Sequence, residues 1–244
     1  MIAWAITDKG LARRENQDSF HLEVSHAVTQ AVCVVCDGMG GAKSGNVASQ
    51  MAAGVFMDEM RVLAKPGMSQ KGIRGALAGA VAAANRSVFI KAQSGAAYYG
   101  MGTTLVGAAV SKNAALVVNV GDSRAYLIDS DGIEQVTRDH SLVEDLILRG
   151  EITREEAKAH PSKNLITRAL GTEEAVIPDL FSVDLKDGDF LLLCTDGLTN
   201  VVDDQEILFE VLHGGDPNSC CERLKNLAND RGGPDNITIV LIHI

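Results

Sequence analysis

The stretch QAVCVVCDG, residues 30–38, decides the fold. Successive side chains of a strand point to opposite faces, so Val32, Val34 and Cys36 share one face and Ala31, Cys33 and Val35 the other. Both faces are apolar, the pattern of a strand covered on both sides, and its sheet is therefore sandwiched. The same alternation sends Cys33 and Cys36 to opposite faces, where they share neither a disulfide nor a metal. With Cys194, Cys220 and Cys221 they make five cysteines without framework spacing, and all five read as buried thiols.

Outward from this strand, AWAIT (3–7), DSFHLEV (18–24), ALVVNV (115–120), FLLLC (190–194) and ITIVLIHI (237–244) also read as strands. Helical spacing appears at Val47, Met51, Val55, Phe56 and Met60 and again at Ile73, Leu77, Val81, Ala84 and Val88, an antiparallel pair. Two shorter helical faces, Ile207 to Leu212 and Leu224 to Ala228, flank the breaker HGGDP (213–217). The turns in VSKNAAL (110–116) and LKDGDF (185–190) signal hairpins, so antiparallel sheets with helices outside are expected. The polar stretch 139–171, with short helices in HSLVEDLILRG and TREEAKAHP, reads as a flap.

The 244 residues carry 22 Lys+Arg against 32 Asp+Glu, a net charge of −10, with 46% hydrophobic residues. That supports a single domain over 1–244 with a sizeable core. An acidic chain without a basic stripe argues against a nucleic-acid partner. No leader-like start and no apolar run of roughly 18 residues is present, so a cytoplasmic protein without membrane insertion is expected, and nothing signals a dimer seam.

The chemistry lies where the aspartates fall. Asp37 follows CVVC, Asp122 follows VVNVG, Asp196 follows LLLCT and Asp235 precedes NITIV, while Asp18 begins SFHLEV. One Asp-Gly at a strand end is ordinarily a turn, but five carboxylates gathered at one rim of a sandwich repel one another unless cations neutralise them. Oxygen ligands without imidazole or thiolate at zinc spacing suit Mn²⁺ or Mg²⁺. Asp18, Asp37, Asp196 and Asp235 match the charge of two divalent ions, and the Gly38 carbonyl, with no Cβ beside it, has room to approach them. Such a centre makes a bridging hydroxide near neutral pH and orients it for in-line attack on phosphorus. Arg13, in RRENQD, offers a guanidinium fork for two phosphate oxygens. No cysteine has an arginine six positions later, so cysteine-phosphatase chemistry of the Cys-x5-Arg kind is excluded, and GxxxxGK[ST] is absent, so a P-loop nucleotide site is not supported. GMGGAKSG fails GxGxxG at Lys43 and reads as backbone making room around ions.

Together these segments resemble the metal-dependent serine/threonine protein phosphatases of the protein phosphatase 2C (PPM) family, bacterial type. TDKGLARRENQDSF, VVCDGMGGAKSGNVAS, GMGTTLVGAAV, VGDSRAYLI, the flap, LLLCTDGLTNVVDDQEI and GGPDNITIVLI occur in the family's order along essentially the whole chain. The resemblance implies an α+β fold, a four-layer αββα sandwich with two antiparallel sheets between helix pairs. It further implies that Asp37 bridges two Mn²⁺ or Mg²⁺ ions and Gly38 binds through its carbonyl. Asp196 and Asp235 would complete the first ion's shell, Asp18 would act on the second through water, and Arg13 would bind substrate phosphate. Asp122 matches the position that, with the carboxylate at Asp196, holds a third ion in bacterial members. Met39 and Ala42 stand where family members carry histidines, so a metal-bound water at the third ion is the expected proton donor to the leaving alkoxide; His160 in the flap reads as solvated. The implied partners are phosphorylated proteins and a cognate serine/threonine kinase, with a monomer as the default. Two readings compete: a pseudophosphatase that binds metal or phosphopeptide, and an acidic domain whose Asp-Gly pairs are only turns.

Overall fold

A computed structural model describes residues 1–25, 30–40, 44–65 and 67–244. The chain opens with β1 (Ile2–Asp8), β2 (Asp18–Ser25) and β3 (Gln30–Met39), then two long helices, α1 (Gly45–Leu63) and α2 (Gln70–Ala92). Next come β4 (Gly102–Thr103), β5 (Leu105–Val110), β6 (Ala114–Val120), β7 (Arg124–Asp129) and β8 (Gly132–Gln135), followed by α3 (Leu142–Leu148) and α4 (Arg154–Lys158). The last part runs through β9 (Asp179–Asp184), β10 (Phe190–Cys194), α5 (Asp196–Thr199), α6 (Asp204–His213), α7 (Pro217–Asp230) and β11 (Ile237–His243). Among the described residues no helix is long and apolar enough to cross a membrane.

The strands form two antiparallel sheets, β1-β11-β10-β7-β8 and β2-β3-β5-β6-β9, with β4 paired to β3. Alternation along β3 sorts its side chains as read: Ala31, Cys33 and Val35 share the layer between the sheets with Leu191, Leu193, Val240 and Ile242. Val34 and Cys36 instead pack under α1 and α2 with Phe56, Met57, Leu77 and Val81. On the far side Leu192, Cys194, Ile239 and Leu241 lie beneath α6 and α7 with Ile207, Val211 and Leu224. Three apolar layers between four layers of structure result, and each large buried side chain contributes about 1.5–3 kcal/mol by leaving water. All five cysteines are buried free thiols.

Local chemistry ends the helices where the sequence punctuates them. In HGGDP, Gly214 closes α6 and Asp216 accepts from the Asn218 and Ser219 N–H groups at the start of α7, with Pro217 in its first turn. Capping boxes start α4 (Thr153 with Glu156) and α6 (Asp203 with Glu206).

The hairpin read in VSKNAAL is the β5–β6 pair. LKDGDF is not a hairpin: β9 pairs with β6 in one sheet, whereas β10 pairs with β7 and β11 in the other. An Asp-Gly turn fixes a local reversal, but FLLLC is buried on every residue and takes the central place of the opposite sheet, where both its edges and both its faces are covered.

Candidate active site

The strand register gathers every aspartate singled out in the sequence at one rim of the layer between the sheets. Asp18 begins β2 directly opposite Asp37 of β3. In the other sheet Asp196 opens α5 just beyond β10, and Asp235 stands just before the neighbouring β11; the ends are tied by Thr195 N–H donating to Thr238 O at 3.1 Å. Asp122 lies in the turn between β6 and β7. Asp37 feels the charges of Asp18, Asp196, Asp122 and Asp235.

Asp18 is the most enclosed, 6% exposed. Thr195 and Thr238 continue the inter-sheet faces of β10 and β11, and their hydroxyls donate to Asp18 Oδ2 at 2.9 and 2.7 Å. Burial raises its pKa to about 7, against the pull of these two hydroxyls and helped by Asp196 and Asp235. Its Oδ1 is buried without a partner. Burial also raises Asp37, and next in order the charge of Asp18; Asp122 is raised to about 7 by burial and then Asp196. Asp196 is raised by burial and by Asp235, against which the Asp37 carboxyl and the Asn200 amide pull.

Backbone contacts hold Asp37 on both sides. Its N–H donates to Thr104 Oγ1 (2.9 Å), and its carbonyl accepts from Thr104 N–H (2.9 Å) and the Thr103 hydroxyl (2.8 Å). A Cβ on Gly38 would stand 2.1 Å from Gly45 O and 2.5 Å from Gln17 O. The glycine therefore admits the start of α1 and the Gln17 backbone at close approach. Ala42 and Lys43 lie outside the described residues; Met39 pairs with Gly102, and His160 Nδ1 accepts from Ser162 N–H within the flap.

Arg13 sits on an exposed loop fastened by Leu11 and Ala12 N–H to Gly233 O. Its Nη2 donates to Asp235 Oδ2 at 2.7 Å, and its guanidinium also feels Asp37 and Asp196. Asn236 clamps the same rim, accepting from Gln17 N–H and donating to the Lys9 and Glu15 carbonyls. Beside the cluster a groove of about 740 Å³ runs between the core, at Asp122, Asp196 and Asn200, and the flap, at Ile147, Arg154 and Lys163.

Among the described residues no three His, Cys, Asp or Glu side chains converge as they stand into a ready coordination shell. The electrostatics nevertheless fit a divalent cation. Two buried carboxylate oxygens, Asp18 Oδ1 and Asp196 Oδ1, lack any partner, four carboxyls have raised pKa values, and every donor is a hard oxygen. Asp18 and Asp235 are meanwhile turned to the threonines and to Arg13.

The threonines at 103, 104, 195 and 238, with Asn200 and Asn236, were not singled out in the sequence. Their signal is positional: Thr195 and Thr238 each lie within three residues of a selected aspartate, at the polar end of an apolar strand.

The protein phosphatase 2C family pattern matches residues 12–227. The serine/threonine phosphatase stp of Listeria welshimeri is 38% identical over 236 residues, 97% of this chain and 93% of that protein. The crystal structure of the serine/threonine phosphatase Stp1 from Staphylococcus aureus superposes with a TM-score of 0.91 at 40% identity, covering 99% of this chain and 94% of that one. The catalytic domain of the serine/threonine protein phosphatase PstP, solved in complex with 2 manganese ions, has a TM-score of 0.84 at 35% identity over 98% and 96% of the two chains.

Proposed function

Since the chain belongs to the protein phosphatase 2C family and is a protein serine/threonine phosphatase, we propose that it reverses a partner serine/threonine kinase at a centre for two Mn²⁺ or Mg²⁺ ions. Asp37 would bridge the ions, with the Gly38 carbonyl, Asp196 and Asp235 on the first, Asp18 reaching the second through water, and Asp122 with Asp196 serving a third. The two manganese ions of the PstP catalytic domain support a two-ion centre. Bound there, divalent cations supply Lewis-acid activation of the attacking water and offset the charge of carboxylates and phosphate. Thr195 and Thr238 donate to Asp18 and favour its charged form, and Thr103 and Thr104 fix the Asp37 backbone. Arg13, exchanging Asp235 for substrate, would grip two phosphate oxygens through its fork. The whole chain acts as one monomeric, cytoplasmic domain, and its flap, 139–171, walls the groove that receives the phosphoprotein.

The observation that carries this reading is the pair of unpartnered buried oxygens on Asp18 and Asp196 within one rim of repelling carboxylates. Its test is phosphate release from a phosphothreonine peptide with Mn²⁺, with excess chelator, and in Asp37→Asn. Turnover that needs the metal and vanishes in the variant is expected. Mn²⁺ binding with no release from several phosphopeptides would instead leave a pseudophosphatase, a reading that the intact set of four aspartates disfavours.

A further inference from the structure

The flap leaves the core at Thr137 to Ser141, and this root is laced to the turn that carries Asp122. Ala125 N–H donates to Thr137 Oγ1 (3.0 Å), Asn119 Nδ2 donates to the Arg138 and Gly121 carbonyls (3.1 and 3.2 Å), and Arg124 grips both oxygens of Asp139. His140 makes the closest connection. It is 6% exposed; its backbone N–H donates to Gly121 O (2.9 Å) and its Nδ1 accepts from Gly121 N–H (3.0 Å). An Nδ1 that accepts is unprotonated, so the neutral ring carries its proton on Nε2. That atom is buried and lies 3.2 Å from Asp179 Oδ2, poorly aligned for a regular hydrogen bond and without any other partner. Asp179 is held in turn by Arg168 at 3.0 Å.

Gly121 needs this clamp. Its φ is +110°, and a Cβ there would stand 2.6 Å from Thr104 Cβ, so the turn is tightly bent against Thr104, between β4 and β5. On the other side of Asp122, the Ser123 hydroxyl shares a 2.7 Å hydrogen bond with Thr104 Oγ1, which also accepts from Asp37 N–H. Asp122 is thus suspended between two anchors, one reaching Asp37 and the other reaching the flap.

We propose that His140 is a positioning residue: through Gly121 it sets where the Asp122 carboxylate stands, and it couples that carboxylate to the seating of the flap. This rests on the reading of Asp122 as a ligand of a third ion. Removing such a supporting contact typically costs about 10–100-fold in metal affinity.

The test compares His140→Asn, whose Oδ1 replaces the acceptor at Nδ1, with His140→Gln, which keeps only the reach toward Asp179. Asp122→Ala runs in parallel. The readouts are Mn²⁺ titration calorimetry and the amide NMR signal of Gly121, neither of which requires turnover. Expected are loss of the same Mn²⁺ event in His140→Gln and Asp122→Ala, its survival within about threefold in His140→Asn, and a displaced Gly121 amide in His140→Gln alone of the two histidine variants. Equal impairment of the Asn and Gln variants would reduce His140 to a packing role and overturn the proposal. An unchanged His140→Gln isotherm beside a changed Asp122→Ala one would also overturn it, while an unchanged Asp122→Ala isotherm would remove the ligand reading on which it rests.

Discussion

At the scale of single residues, the site is a contest over buried negative charge, and small polar side chains decide it. Thr195 and Thr238 donate to Asp18 and favour its carboxylate against the burial that raises its pKa to about 7. A hydrogen bond to a charged group contributes about 1.5–3 kcal/mol, so Thr238→Val should destabilise the chelator-treated protein by about that amount at pH 8. At pH 5, where Asp18 is protonated, the loss should be smaller; denaturant titrations at the two pH values measure the difference, and equal losses would contradict the role. Arg13 is the opposite case. Its ion pair with Asp235 is exposed, and such pairs contribute about 0–1 kcal/mol. Arg13→Ala should therefore leave the unfolding midpoint nearly unchanged while kcat/KM for a phosphopeptide falls. Arg13→Lys should not restore it, because an ammonium lacks the planar fork.

At the scale of elements, strands deliver the aspartates and close backbone packing keeps them in place. The start of α1 lies so near β3 that Gly38→Ala would force a Cβ against two carbonyl oxygens; overpacking of this kind costs about 1–3 kcal/mol and should displace Asp37 as well. Gly54→Ala, within the same helix and with nothing within 4 Å of the added Cβ, should stabilise by about 0.5–1 kcal/mol through helix propensity. Opposite shifts in thermal midpoint for these two Gly→Ala changes would separate contact from propensity. The same contrast explains what was legible in the sequence. The alternation in AVCVVC and the 3.6-residue spacing of α1 and α2 report burial directly, so these elements and the sandwich could be read from letters. β5, β7, β8 and β9 were not picked out: LVGAAV is rich in small residues with weak strand preference, RAYLID and DLFSVD carry short apolar runs bounded by charged residues, and GIEQ has a single large apolar residue. The aspartates were legible because each ends an apolar strand. Their threonine and asparagine partners were not, because a hydroxyl beside a carboxylate is defined by register between distant strands, as Thr238 and Asp18 are, 220 positions apart.

At the scale of the whole molecule, the fold stores electrostatic repulsion at one rim, and stability against pH should report it. Asp18 and Asp122 are raised to about 7, and Asp37 and Asp196 are raised as well, from an ordinary value of 3.8. Between about pH 4 and about pH 7 the folded state therefore binds more protons at these groups than the unfolded chain, and stability falls as pH rises through that window. His140 works in the opposite sense, since burial lowers its pKa from 6.5, but it is one imidazole against four carboxyls. Carboxyls lowered by hydrogen bonds, such as Glu206 at about 2, release their contribution only below about pH 4.5 and lie outside the window. The chelator-treated protein should accordingly melt at a higher temperature near pH 5 than near pH 8. A change of about 1 kcal/mol moves the midpoint of a chain this long by about 2–4 °C, within reach of a thermal scan. Mn²⁺ competes with protons for the same oxygens and stabilises the state that binds it, so the metal should raise the midpoint more at pH 8 than at pH 5 and flatten or invert the slope. A slope that is flat without metal, or a Mn²⁺ effect independent of pH, would mean that the repulsion among the five aspartates is discharged elsewhere and that cation binding is not what relieves it.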